Sequence, residues 1–204
     1  MKQVLNYCTS NPNAIICYST RGMLLQLHID ISYLYKQQVQ RRAGGYVYLG
    51  GGSANRNNPP LPSKTVPLHN DETHMLSNIM RNALSSDVEA KTGSIFEHFQ
   101  KSVPIHLTFG QLSHTQPESL VQTDGSYTAG IANDTVKTIL IQNHWHEFLL
   151  VNIFRQNQFI FYWCSVRTNL ADYFTNHHPP SHHKIIITKY LSAFRAISLR
   201  LCSL

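Results

Sequence analysis

Apolar residues hold every second position from Met23 to Tyr33 (Met23, Leu25, Leu27, Ile29, Ile31 and Tyr33), with Gln26, His28, Asp30 and Ser32 between them. A period of two predicts a strand with one face in the core and one polar face. Asp30 is the only acid on that polar face, and strands are poor in Asp. Two readings follow for it. One is a carboxylate solvated at a sheet edge, which the spacing alone favours; the other is a carboxylate held there for chemistry. Further on, Ala43-Gly44-Gly45 leads into Tyr46-Val47-Tyr48-Leu49, a β-rich run that predicts a second strand paired with the first. Gly50-Gly51-Gly52 is not followed by Gly-Lys-Ser/Thr, so it reads as the start of a flexible loop over 50–72 rather than a phosphate cradle.

The pattern then changes period. Met75, Ile79, Met80 and Ala83 have helical spacing over a short run, His74 to Leu84. Ser86-Asp87-Val88-Glu89 has the form of a capping box, and Val88, Thr92, Ile95, Phe96, Phe99 and Val103 continue it as an amphipathic helix. On that reading Glu89 is a capping glutamate. Pro104 to Leu112 reads as a separate, weaker helix. Leu120 to Thr123 predicts a strand ending at Asp124-Gly125 with a helix soon after, which puts Asp124 where open α/β sheets face their ligands. Lys137 to Phe154 is long and mostly apolar and predicts an interior helix; Gln158 to Val166 predicts a strand buried on both faces. Thr168 is placed to cap a last helix through Phe174, with Asp172 in its first turn complementing the helix dipole. Residues 2–10 predict a short N-terminal helix stopped by Asn11-Pro12-Asn13.

Composition narrows the classes. The 204 residues carry 17 Lys and Arg against 11 Asp and Glu, a formal charge of +6. That balance suits an anionic partner such as nucleic acid. Cys8, Cys17, Cys164 and Cys202 form no CxxC pair, so neither a zinc site nor a disulfide framework is indicated. No apolar run approaches the roughly 20 residues of a membrane span, and no signal-peptide core is evident. The expectation is an intracellular protein without a membrane partner. His177-His178-Pro179-Pro180-Ser181-His182-His183 offers metal ligands, but its prolines and lack of framework favour an exposed tail.

Strands cluster first and then alternate with helices, the order of an antiparallel meander continued by parallel crossovers. Four acids stand out by element: Asp30, Glu89, Asp124 and Asp172. Close carboxylates repel and are stable mainly with divalent cations between them; hard oxygen ligands select Mg²⁺ or Mn²⁺. Two such ions can activate water and stabilise the leaving oxygen of a phosphodiester.

The chain resembles the ribonuclease H domain of copia-class retrotransposon polyproteins. The blocks are HIDISYL (28–34) for an S-D-A-type strand, RRAGGYVYLGG (41–51) for R-S-x-x-G-Y, LSSDVEA (84–90) for L-S-S-T-E-A-E, QTDGS (122–126) for C-D-N-x-S, and NLADYFTNH (169–177) for Q-L-A-D-x-F-T-K. They occur in family order across roughly residues 1 to 180. The resemblance implies an α/β, ribonuclease H-like fold, a five-stranded mixed sheet with helices on both faces, and makes Ile79 to Leu84 its third strand. The domain would span 23–178, after an N-terminal segment over 1–22 and before a C-terminal tail over 179–204. It further implies that Asp30, Glu89, Asp124 and Asp172 bind two Mg²⁺ or Mn²⁺ ions and hydrolyse the RNA strand of an RNA–DNA hybrid. Arg41, Arg42, Ser126 and Lys137 are the expected nucleic-acid contacts, and a reverse transcriptase domain encoded elsewhere is the expected protein partner.

Two departures bear on activity. The family's basic R-T-K-H-I-D helix is replaced here, after Lys137, by TILIQNHWHEFLLVNIF, and the lysine after F-T is Asn176. Loss of that positive charge predicts weakened activity. It leaves open a catalytically silent nucleic-acid-binding module or a non-functional retrotransposon remnant.

Overall fold

A computed structural model describes residues 2–12, 14–15, 23–32, 41–51, 69–80, 87–133, 158–176, 178–190 and 192–193. In chain order its elements are α1 (Lys2–Ser10), β1 (Ala14–Ile15), β2 (Leu24–Ile31), β3 (Arg41–Gly50), β4 (His69–Met80), α2 (Asp87–Gln111), β5 (Ser119–Thr123), α3 (Ser126–Ala132), β6 (Phe159–Trp163), α4 (Asp172–Thr175), α5 (Pro180–Tyr190) and β7 (Ser192–Ala193). They fall into two units, residues 21–177 and residues 1–20 with 178–204. Among the described residues no helix is long and apolar enough to cross a membrane.

The larger unit is built on a five-stranded sheet of order β4-β3-β2-β5-β6. β3 pairs antiparallel with β2 and β4, while β5 pairs parallel with β2 and β6. The meander continued by parallel crossovers is therefore as the pattern predicts. One face of β2 is the apolar core. Leu25, Leu27 and Ile29 pack with Val47, Val121, Phe159 and Phe161 of the other strands and with Ile95 and Phe99 of α2. The Phe99 ring lies 4.7 Å from that of Phe159 and 5.4 Å from that of Phe161. Buried Ala90, Gly93 and Ser94 keep the near side of α2 small. Gly45 leaves room for the buried His98 ring, since a Cβ there would fall 2.0 Å from its Cδ2.

The other face of β2 corrects the solvated reading of Asp30. Gln26, His28 and Asp30 are only 5%, 1% and 6% exposed. β2 is the central strand, and the segment ending in α4 covers its second face. Gly44 permits this approach: a Cβ there would lie 2.9 Å from the Ala171 carbonyl oxygen. Next to it, Phe174 stacks on Tyr46 with ring centroids 6.1 Å apart.

Other expectations need adjustment. The helical spacing at His74 to Leu84 is overridden by pairing with β3, from Arg41↔Met80 to Gly50↔His69. β4 is thus a strand, but it shares only Ile79 and Met80 with the stretch 79–84 that the resemblance assigns; residues 81–84 lie outside the described residues. The stretch 50–72 is not wholly loop, since Gly50 closes β3 and His69 opens β4.

Pro104 does not separate two helices; it lies inside α2. It removes one helical hydrogen bond at a cost of about 3 kcal/mol. Packing of Val103, Ile105 and Phe109 against the core on both sides of it holds the helix together. β6 ends at Trp163, which is 54% exposed, so the strand is covered only through Phe161. As an edge strand it is held by Asn133, whose Nδ2 donates to the Phe161 carbonyl (2.8 Å) and whose Oδ1 accepts from the Phe161 N–H (3.1 Å). Thr168 caps no helix: it lies in a 3-10 turn, its hydroxyl donates to the Ser165 carbonyl, and Ala171 precedes α4 without a side-chain cap. The helix expected over Lys137 to Phe154 lies outside the described residues.

In the smaller unit β1 and β7 pair antiparallel, Ala14 opposite Ala193. Residues 180–190, expected as tail, form α5. Pro180 opens it, where a missing N–H costs nothing, and the rings of His178 and His182 stack 4.3 Å apart.

Candidate active site

Parallel pairing of β2 and β5 sets Ile29 opposite Thr123. Asp30 and Asp124 therefore follow one another across the C-terminal ends of neighbouring strands. Asp172 reaches the same region because its approach is pinned to β2. Asn169 Nδ2 donates to the Ile29 carbonyl (3.0 Å), and its Oδ1 accepts from the Ala171 N–H (3.0 Å). The Leu170 N–H donates to His28 Nδ1 (3.0 Å). An acceptor at Nδ1 fixes the proton on Nε2, so His28 donates onward to the Tyr48 hydroxyl (3.1 Å). That hydroxyl donates to Gln26 Oε1 (3.0 Å). Thr175 closes the segment by donating its hydroxyl to Asp30 Oδ2.

The three aspartates share one electrostatic neighbourhood. Asp30 is pushed from 3.8 up to about 6, chiefly by burial; the Thr175 hydrogen bond works against this, and the charges of Asp124 and Asp172 add to it. Burial, then Asp124 and Asp30, raise the Cys164 thiol to about 12, so it stands beside the group as a neutral thiol.

The fourth expected acid, Glu89, is buried in the first turn of α2. The side chain that α2 sends to Asp124 is Lys91, with Nζ 3.3 Å from Asp124 Oδ1 and 3.6 Å from Asp87 Oδ2. A Cβ at Gly125 would lie 2.9 Å from Lys91 Cδ, so the lysine stem is seated over the glycine backbone. Asn176 Nδ2 donates to Asp172 Oδ1 (2.7 Å).

Each aspartate thus faces a protein donor: Thr175, Lys91 or Asn176. A hard divalent cation needs several oxygens turned toward one point. Among the described residues no group of three or more His, Cys, Asp or Glu side chains could hold a metal ion. As arranged, the donor set does not fit the two ions that the resemblance implies.

Of the expected nucleic-acid contacts, Arg41 is buried and Arg42 exposed at the start of β3, its Nη1 3.3 Å from Ser77 Oγ. Ser126 is exposed as the first residue of α3; Lys137 lies outside the described residues. Sequence reasoning missed Lys91, Thr175, Asn169 and the His28–Tyr48 pair. Lys91 lies just past the block LSSDVEA (84–90), and nothing in its local sequence marks it.

No protein-family model and no curated protein matches the chain. Solved structures do. LC11-RNase H1 in complex with an RNA/DNA hybrid matches at 10% identity and TM-score 0.50, over 74% of this chain and 94% of that one. Another LC11-RNase H1 structure, isolated from compost by a metagenomic approach, matches at 11% identity and TM-score 0.48, over 76% and 94%. The N-terminal RNase H domain of a Mycobacterium tuberculosis protein, solved as a fusion with maltose-binding protein, matches at 12% and 0.47, over 76% and 91%. The first of these, with the observed strand order, defines the fold as ribonuclease H-like.

Proposed function

We propose that this chain is a retroelement-derived, ribonuclease H-type domain that engages RNA–DNA hybrids inside the cell and cleaves them weakly or not at all. The observation that carries this reading is the gathering of Asp30, Asp124 and Asp172 at the C-terminal ends of β2 and β5 in a ribonuclease H-like sheet, with Lys91 among them. The five ordered sequence blocks support the retroelement origin. An excess of basic residues supports an anionic ligand, and LC11-RNase H1 was solved with such a hybrid. Trp163, exposed and tied through Nε1 to the Asp124 carbonyl (3.0 Å), offers an aromatic surface beside the acids. A reverse transcriptase encoded elsewhere would supply the hybrid.

The second reading is an intact two-metal ribonuclease, favoured by retention of the three aspartates. Mg²⁺ or Mn²⁺ would then have to displace Lys91, Thr175 and Asn176 from their carboxylates. A labelled RNA–DNA hybrid separates the two. The proposal expects salt-dependent binding in chelator and little or no cleavage when Mg²⁺ or Mn²⁺ is added. Efficient metal-dependent cleavage selects the second reading, and failure to bind hybrid at low salt removes both.

A further inference from the structure

We infer that Lys91 is a built-in counter-cation of the aspartate group: its ammonium stands in for a divalent ion and keeps the centre metal-silent. The inference concerns the same site as the proposed function but rests on the site's geometry, whether or not hybrid is bound.

Three carboxylates brought together in a partly desolvated place need positive charge among them. The structure supplies one. Lys91 Nζ is 3.3 Å from Asp124 Oδ1, and the two side chains are each 18% exposed, well below the 51% of Asp87. Asp124 Oδ1 is itself buried and makes no hydrogen bond, so the lysine charge is what compensates that atom. The lysine is also seated rather than trailing in solvent. Its Cδ lies 2.9 Å from where a Cβ at position 125 would stand, a close approach that Gly125 permits. An ordinary solvated i,i+4 pair with Asp87 would need neither the buried oxygen nor the glycine seat.

A cation fixed by a covalent stem repels any second cation approaching the same carboxylates. It also contributes no oxygen ligand. Exchanging it for a neutral or acidic side chain should therefore create metal affinity where there is little. Charge count is one of the factors that set the affinity of oxygen sites for divalent ions.

The test uses the full chain and Mn²⁺ alone, read by electron paramagnetic resonance of free ion and by the shift in melting temperature. The native chain is expected to show weak binding and a small thermal response. Lys91→Gln is expected to bind Mn²⁺ about tenfold more tightly, and Lys91→Glu more tightly still. Lys91→Arg is expected to stay silent while remaining folded by circular dichroism. Tight Mn²⁺ binding by the native chain, or no gain in either folded neutral or acidic variant, overturns the inference. If one variant fails to fold, the other decides. Hybrid binding measured in chelator on the same proteins tests the proposed function separately, because it requires no metal.

Discussion

Leu25, Leu27 and Ile29 on one face of β2 are each 1% exposed, and Gln26, His28 and Asp30 on the other are 5%, 1% and 6%. The two faces are buried to similar depth by opposite means. Beneath α2 the contacts are mainly apolar and non-directional, so shape and volume largely decide them. Beneath the segment ending in α4, Gln26, His28 and Asp30 are held by directed hydrogen bonds beside the Phe174–Tyr46 stack, because buried polar groups are costly unless paired. The first face gives the unit its stability. The second tolerates less stability in exchange for holding Asp30 and Asp172 at fixed positions.

The largest effect should come from the apolar face. Phe99→Ala removes a ring that is 1% exposed and packs on Phe159 and Phe161. It should lower unfolding free energy by about 3–5 kcal/mol, measured by urea denaturation. A loss below about 1 kcal/mol would mean that this face is not the stabilising one.

On the polar face, Asp30→Asn should stabilise the protein. The Asp30 carboxyl binds its proton more tightly folded than unfolded, with values near 6 and 3.8. The favourable linkage is fully present below the unfolded value and is lost as pH rises through about 6. Removing the charge should therefore gain up to about 3 kcal/mol at pH 8 and almost nothing near pH 4. The amide oxygen can still accept from Thr175. Melting curves across that range check it, and a pH-independent difference would mean that charge burial is not its cause.

Tyr48→Phe should have the smallest effect of the three. It withdraws the acceptor from His28 Nε2 and the donor from Gln26 Oε1 while leaving the ring in place. The expected loss is about 1–3 kcal/mol, accompanied by weakened docking of residues 169–171. Hydrogen exchange at the Leu170 amide reports that docking, and an unchanged exchange rate would uncouple the hydroxyl from the segment.

The same contrast explains what was legible in the sequence. The apolar positions of β2 and the end of β5 at Asp124 announce themselves through local spacing. The fate of the polar positions does not, because alternation is identical whether Gln26, His28 and Asp30 meet water or a distant polar segment. Lys91 shows the same limit: four residues after Asp87 on a helix, it reads as a surface pair, and only the folded position of Asp124 gives it another role. α2 continued through Pro104 because tertiary burial outweighed a local breaker. β4 became a strand because β3 offered it a partner, a fact absent from its own residues.

The contacts that hold the polar face also set an order in time. They join residues 140, 142 and 145 positions apart: Asn169 to Ile29, Leu170 to His28, and Thr175 to Asp30. By contrast, β2, β3, β4, α2 and β5 all precede residue 124 in the chain. A ribosome therefore releases the strands around Asp30 well before it releases the segment that shields them. Long-range closure of this kind is slow and comes late in folding. A nascent chain would hold the Asp30 carboxylate open to water, ionised in the ordinary way, until Asn169 emerged. Closure over it would then complete the acidic centre as the last event in the assembly of this unit.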